Sequence, residues 1–197
     1  MKKFFGSIAI VAFALASVYC FSSCGHDDDD VTPEPAPVYF PIESIEGHLV
    51  YDYSPEAIEL FNIVYEVTDF DGKKDVITVT EPGRVEKTYE AKNITDEATV
   101  KLTVTAKDVK AIGTGETFNL KFNTYVGVLA TVKGYEFAPR EVKGFNSYFF
   151  TETVQNYENN YISAVKETYE GTYEAKLALP SEYSKGVTQE WIDADKK

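Results

Sequence analysis

Ala98-Thr99-Val100-Lys101-Leu102-Thr103-Val104-Thr105-Ala106 carries apolar side chains on every second residue and polar ones between them. A period of two turns one face of an extended chain towards a core and the other towards water, whereas an amphipathic helix needs a spacing near 3.6. The stretch therefore reads as a half-buried β-strand. Phe118, Leu120 and Phe122 alternate in the same way with Thr117, Asn119, Lys121 and Asn123. Val126, Val128, Ala130 and Val132 keep that parity, so 117–132 is one long bent strand or two strands broken near Asn123-Thr124.

Working outward, Phe61, Ile63, Tyr65 and Val67 form another apolar row, and Ile77 and Val79 belong to a further β-rich run. Asp71-Gly72 between them is the strongest hairpin signal in the chain. Ser54-Pro55-Glu56 reads as a helix start, Ser as N-cap and Pro at the first position, with the β-branched content after Ile58 limiting it to a single turn. Pro82-Gly83 separates Ile77–Thr80 from a strand at Arg84–Tyr89. Ile162–Tyr169 and Thr172–Leu179 flank Glu170-Gly171, a weaker hairpin signal. Val154, Tyr157, Tyr161 and Val165 have helical spacing, so 152–165 reads as an irregular segment or short helix. Seven to nine short strands with turns about every ten residues predict an all-β fold, a two-sheet antiparallel β-sandwich of immunoglobulin-like type, with a small β-barrel as the alternative. The Cys…Trp…Cys pattern of antibody domains is absent.

Composition bounds the chemistry. The 197 residues include 32 Asp+Glu against 19 Lys+Arg, a formal charge of −13, which argues against gripping nucleic acid because backbone binding needs a cationic surface. Two histidines leave little room for multi-histidine metal chemistry. Lys2 and Lys3 followed by the apolar run Ile8–Val18 have the length of a signal peptide rather than of a membrane-spanning helix.

Phe21-Ser22-Ser23-Cys24 resembles a bacterial lipobox, and Gly25-His26-Asp27-Asp28-Asp29-Asp30 resembles the acidic export signal of Bacteroidetes-type surface lipoproteins. The resemblance implies a signal peptide over 1–23, lipidation of Cys24, export directed by Asp27, Asp28, Asp29 and Asp30, and a protein anchored in the bacterial outer membrane facing the exterior. Residues 24–37 then form an acidic, proline-rich tether, since four aspartates repel one another and Pro33, Pro35 and Pro37 favour an extended path reaching about 40 Å. The remainder, 38–197, is a single β-sandwich domain. Its stretch from Ile58 to Val104 resembles small lipoproteins of the same bacterial group to which no activity is assigned. Cys20 would leave with the signal peptide and Cys24 would carry lipid, so no disulfide is expected in a compartment that permits one.

Candidate chemistry is sparse. Asp69-Phe70-Asp71-Gly72-Lys73-Lys74-Asp75 alternates carboxylates, but a calcium loop counted from Asp69 would need a bidentate acid where Thr80 stands, so a solvated turn is expected and no metal. His48 is the lone histidine of the domain, and no Gly-x-Ser-x-Gly elbow accompanies it. Glu43 with Glu46, and Glu56 with Glu59, would serve glycoside cleavage only at a specific spatial separation. Gly113-Thr114-Gly115 lacks the Lys-Ser/Thr of a phosphate loop. Neither catalysis nor a cofactor is expected, and a hydrolase is the least favoured reading.

Phe145, Tyr148, Phe149, Phe150, Tyr157 and Tyr161 crowd one segment beside Asn146, Asn156, Asn159 and Asn160. Exposed rings stack on sugars while amides bond hydroxyls, so Tyr148, Tyr157 and Tyr161 are candidate ligand residues, against the competing expectation that such rings fill the core. The expected partners are the membrane, through the lipid, and a glycan or surface protein. A structural or adhesin-like assembly subunit is the alternative, and would display an unpaired strand edge.

Overall fold

In the computed structural model, which describes residues 36–113, 115–135, 139–142, 147–150 and 154–194, the alternating stretch at 98–106 is a strand that buries Ala98, Val100, Leu102 and Val104. In chain order the first strands are β1 (Tyr39–Phe40), β2 (Ile42–Tyr53), β3 (Phe61–Thr68), β4 (Lys74–Val79), β5 (Gly83–Glu90) and β6 (Ala98–Ala106). Then follow β7 (Thr117–Leu120), β8 (Phe122–Val132), β9 (Arg140–Glu141), β10 (Ser147–Phe150), β11 (Gln155–Glu158), β12 (Gly171–Leu177) and β13 (Val187–Thr188). Three short helices interrupt them: α1 (Pro55–Leu60), α2 (Ile162–Tyr169) and α3 (Gln189–Asp193).

Two antiparallel sheets face each other across one core. The five-stranded sheet has the order β10-β8-β2-β5, with β9 also on β8; the four-stranded sheet has the order β12-β6-β3-β4. Neither is closed into a barrel, so the sandwich expectation holds and its alternative falls. The chain changes sheet after β2, through α1, and again after β4, so Pro82-Gly83 marks a crossing between sheets and Asp71-Gly72 a hairpin within one. In that hairpin Gly72 has φ +77°, and the Asp69 carboxylate accepts the N–H groups of Asp71 (3.0 Å) and Lys73 (2.8 Å), the solvated turn expected. The helix start at Ser54 is also as read: its hydroxyl accepts the N–H of Ala57 at 3.3 Å.

Two expectations need correction. Ile162–Tyr169 is the helix α2, burying Ile162, Val165 and Tyr169, and not one arm of a hairpin about Glu170-Gly171. The row from 117 to 132 is broken at Lys121, not near Asn123-Thr124. There Lys121 donates its N–H to the Ser54 hydroxyl (3.2 Å) and accepts the Ser54 N–H on its carbonyl (3.0 Å). Both β7 and β8 keep their even-numbered side chains inward across the break.

The core is filled by Leu49, Tyr51 and Tyr53 of β2, Phe61, Ile63 and Tyr65 of β3, and the inward rows of β6 and β8. Each fully buried side chain of this size contributes roughly 1.5–3 kcal/mol. Inside this apolar row Thr124 is buried, and its hydroxyl meets those of Tyr53 (2.5 Å) and Tyr65 (2.7 Å), which lie 2.5 Å from one another. Three hydroxyls in a ring can each donate once and accept once, so all are satisfied without water. The ring joins β2, β8 and β3, and therefore ties the sheets together.

The two flanks close differently. Beside β10 and β12, Phe150 packs on Tyr169 (5.3 Å between centroids) and Tyr173 (4.8 Å). Beside β4 and β5, Asp75 accepts from Lys87 (3.1 Å) and Tyr89 (3.2 Å) across the gap between the edge strands. One flank is aromatic and the other polar.

Just after Pro37, where the compact unit Pro37–Lys197 begins, β1 pairs with β13. Gly186, at φ +103°, lets the chains approach so closely that a Cβ there would lie 2.1 Å from the Phe40 carbonyl oxygen. Arg140 lies over the Trp191 ring at 5.8 Å and donates to the Ile192 carbonyl at 2.9 Å, seating α3 beside this junction.

Candidate ligand-binding cap

At the Tyr53 end of β2 the sandwich carries a cap made of α1, β7, β11, α2 and residues 107–113 and 115–116. Its base is Ser54, which caps α1, bonds Lys121 and donates its hydroxyl to the Asn119 carbonyl at 3.4 Å. From there β7 runs outward and pairs with β11, Thr117 opposite Glu158 and Leu120 opposite Gln155. A two-stranded ribbon is marginal alone, and this one is held by the core through Phe118, which is buried.

Three polar side chains order the rest of the cap. Asn159 accepts the Ile112 N–H on its amide oxygen (2.9 Å) and donates its amide nitrogen to the carbonyls of Gly115 (2.7 Å) and Ile112 (3.3 Å). Lys166 donates to the carbonyls of Lys107 (2.7 Å) and Val109 (2.5 Å), and Lys107 donates to that of Ile58 (2.7 Å). These side chains supply donors to the carbonyls of Lys107, Val109, Ile112 and Gly115, which lie outside regular strands and helices. Sequence reading missed Lys107 and Lys166, because a lysine in an acidic chain signals solvent, and it counted Asn159 among the sugar-facing amides.

Of the candidate tyrosines, Tyr157 and Tyr161 belong to the cap and differ in burial. Tyr157 lies on β11 with its ring stacked on Phe118 at 5.7 Å and its hydroxyl donating to Gln155 at 2.5 Å, so it is half core. Tyr161, four residues on, is 55% exposed, and Val154, Asn156 and Asn160 are also exposed. Tyr148 belongs to β10, laddered to β8 opposite Tyr125, and its side chain lies outside the described residues, as do Phe145 and Asn146. Cys24, the Asp27–Asp30 run, the 1–23 segment and all but the end of the tether lie outside them too.

The remaining candidates stand apart. His48 is on the outer face of β2, its Nε2 3.8 Å from Glu86 and its ring edge-on to Tyr125 at 6.1 Å. Arg84 hydrogen-bonds Glu86 and holds its carboxyl below the usual range. Glu46 sits directly opposite Glu90 on the neighbouring strand, beside a shallow concavity lined also by Ser44, Thr131 and Pro139. Glu56 and Glu59 share the short α1. In the hairpin Asp71 pairs with Lys92 (2.9 Å) and Asp75 with Lys87, and among the described residues no group of three or more His, Cys, Asp or Glu side chains is placed to hold a metal ion. No described helix is long and apolar enough to cross a membrane.

No protein-family model matches the chain, and comparison with curated proteins and with solved structures gives no significant match.

Proposed function

We propose that the chain is a surface-exposed, lipid-anchored binding protein of the outer membrane, which holds a glycan or similar polar ligand on the cap. The observation that carries the reading is the polarity of the domain. The tether joins at β1, beside Ile42, and the cap sits beyond Tyr53 at the other end of the 12-residue β2, about 35 Å away at the rise of an antiparallel strand. The lipobox-like and acidic motifs precede the first end; exposed Tyr161 with Asn156 and Asn160 marks the second. The unpaired edges of β4 and β5 carry Lys74, Asp75, Arg84, Glu86 and Lys87, charges that discourage strand addition and weigh against the assembly-subunit alternative.

Three measurements test the reading. Cys24→Ala, expressed as the processed chain without residues 1–23, should be absent from the membrane fraction, because stable anchoring takes more than one acyl chain and the variant can carry none at that position. Replacing Asp27–Asp30 by Ala should leave the protein membrane-bound but shielded from protease added to intact cells. For the ligand, a glycan array should register binding that Tyr161→Ala lowers at least tenfold with no change in thermal stability, since the exposed ring has little burial to lose. An array blank for the parent protein would remove the glycan half and leave the anchor half to the fractionation.

A further inference from the structure

We infer that the end of the domain where the tether joins is a docking face for the lipid–water interface, so that the domain stands on the membrane by β1 and does not swing freely on its tether; the inference rests on the lipid-anchor reading above. Among the described residues Val38 and Tyr39 are the only adjacent pair of exposed large apolar side chains, and they directly follow Pro37, where the compact unit begins.

The chain is pinned at this point. Tyr39 and Phe40 are laddered to Thr188 and Val187, and alternation turns Phe40 in against Tyr135, ring centroids 5.4 Å apart, leaving Tyr39 to face out. On one side Lys133 donates its N–H to the Pro41 carbonyl at 2.9 Å. On the other, the Gly186 backbone approaches Phe40 so closely that no Cβ would fit. The apolar pair is therefore presented by a fixed backbone, and little freedom is lost when it is covered.

The same two flanks supply cations. Lys133 and Lys185 are exposed, one in each of the turns that hold β1. Tyrosine and an aliphatic residue with lysines beside them match a membrane interface, where the ring sits at headgroup depth and the long lysine stems carry their charge back to the phosphates. Glu43, Glu182 and Glu190 are exposed at this end too, so the surface is of mixed charge and fits zwitterionic headgroups better than an anionic leaflet.

Two apolar side chains make a weak contact by themselves, and the tether changes that. A lipid at Cys24 would hold the face within about 40 Å of the bilayer, at an effective concentration on the order of millimolar. A contact too weak to recruit the free protein is then populated. A second copy of the chain has no such tether to this patch, and the formal charge of −13 on each copy opposes it. Seated by β1, the domain carries its cap on the side away from the bilayer.

The test uses the lipid-bearing chain in phosphatidylcholine vesicles. Cys20 and Cys24 are the only cysteines, so with Cys24 acylated and Cys20 removed with the signal segment an introduced cysteine is the one free thiol. A fluorophore is attached at Val38→Cys and, in a separate variant, at Val76→Cys on β4, valines that are 67% and 63% exposed in the free domain. Each signal is normalised to the same variant carrying Cys20→Ser and Cys24→Ser, unlipidated and in buffer. Quenching by aqueous acrylamide should be at least threefold weaker at 38 than at 76, and Tyr39→Ser should return the label at 38 to the value at 76. Equal quenching at the two positions overturns the inference and leaves the anchor reading intact. Shielding that survives Tyr39→Ser belongs to the dye and overturns it, as does shielding that disappears when the protein is diluted in the vesicles, which assigns the patch to a second copy. A Cys24 found unacylated by mass spectrometry overturns the anchor reading, and the docking face with it.

Discussion

Thr124 occupies a position in the inward row of β8 where each neighbour in the pattern is apolar, and the reason is the hydroxyl ring it shares with Tyr53 and Tyr65. Removing one member leaves a buried donor or acceptor without its partner, which costs about 1–3 kcal/mol, whereas replacing all members by apolar groups of the same shape is close to neutral. Thr124→Val should therefore lower stability by about 1–3 kcal/mol in urea unfolding. The triple variant Tyr53→Phe, Tyr65→Phe, Thr124→Val should recover most of that loss. A triple variant whose losses simply add would show that the hydroxyls act separately, not as one ring. Nothing in the sequence marks Thr124, since a threonine is at home in any strand; its partners come from β2 and β3, and only the register of both sheets brings them together.

At the level of elements, what was legible was whatever depends on one strand having one dry face. The rows at 61–67, 98–104 and 118–132 are inward as read, and the Asp71-Gly72 hairpin and the Ser54-Pro55 helix start are local signals with local causes. The break at Lys121 left no mark on the pattern, because parity is kept across it and the cause is a hydrogen bond to Ser54, distant in sequence. Likewise α2 has the buried positions Ile162, Val165 and Tyr169 of a helix face, yet its β-branched and aromatic residues favour a strand, and tertiary bonds from Lys166 go with the helix. The cap was the least legible part for the same reason: its order comes from side chains that clasp remote backbone. Asn159→Asp tests this. A carboxylate there would lose both amide donors and face the carbonyls of Ile112 and Gly115, so amide exchange across 107–116 should accelerate by an order of magnitude or more while β2 and β8 stay protected. Exchange at the parent rate would mean that Lys107 and Lys166 hold the segment without Asn159.

For the molecule as a whole, the phenols set an alkaline limit to stability. Burial raises the pKa of Tyr53 and Tyr65 above the ordinary phenol value, and burial together with the charge of Asp75 raises that of Tyr89. Above about pH 10 the unfolded chain releases these protons while the folded chain retains them, so the unfolded state binds fewer protons and stability falls as pH rises. The hydrogen bond from Lys87 works in the other direction on Asp75, whose lowered pKa supplies a contribution present above about 3.9 and lost as pH falls through the folded value, weakened by solvent at this half-exposed pair. The melting temperature should accordingly drop above about pH 10. Phenolate absorbance should show one group of tyrosines ionising there and a second appearing only as circular dichroism is lost. A single ionisation near 10 with the fold intact would contradict the buried ring.

The pairing of β1 with β13 also bears on when the chain can fold at all. Its partners lie at opposite ends of the described sequence, and β2 likewise finds β8 only after five other strands have been made. Contacts so distant along the chain close slowly and late. A polypeptide with this topology keeps β1 without its partner until Val187 and Thr188 have emerged, about 150 residues later. On the proposed export route, in which the chain would cross a membrane in extended form, such a delay keeps it fit for passage.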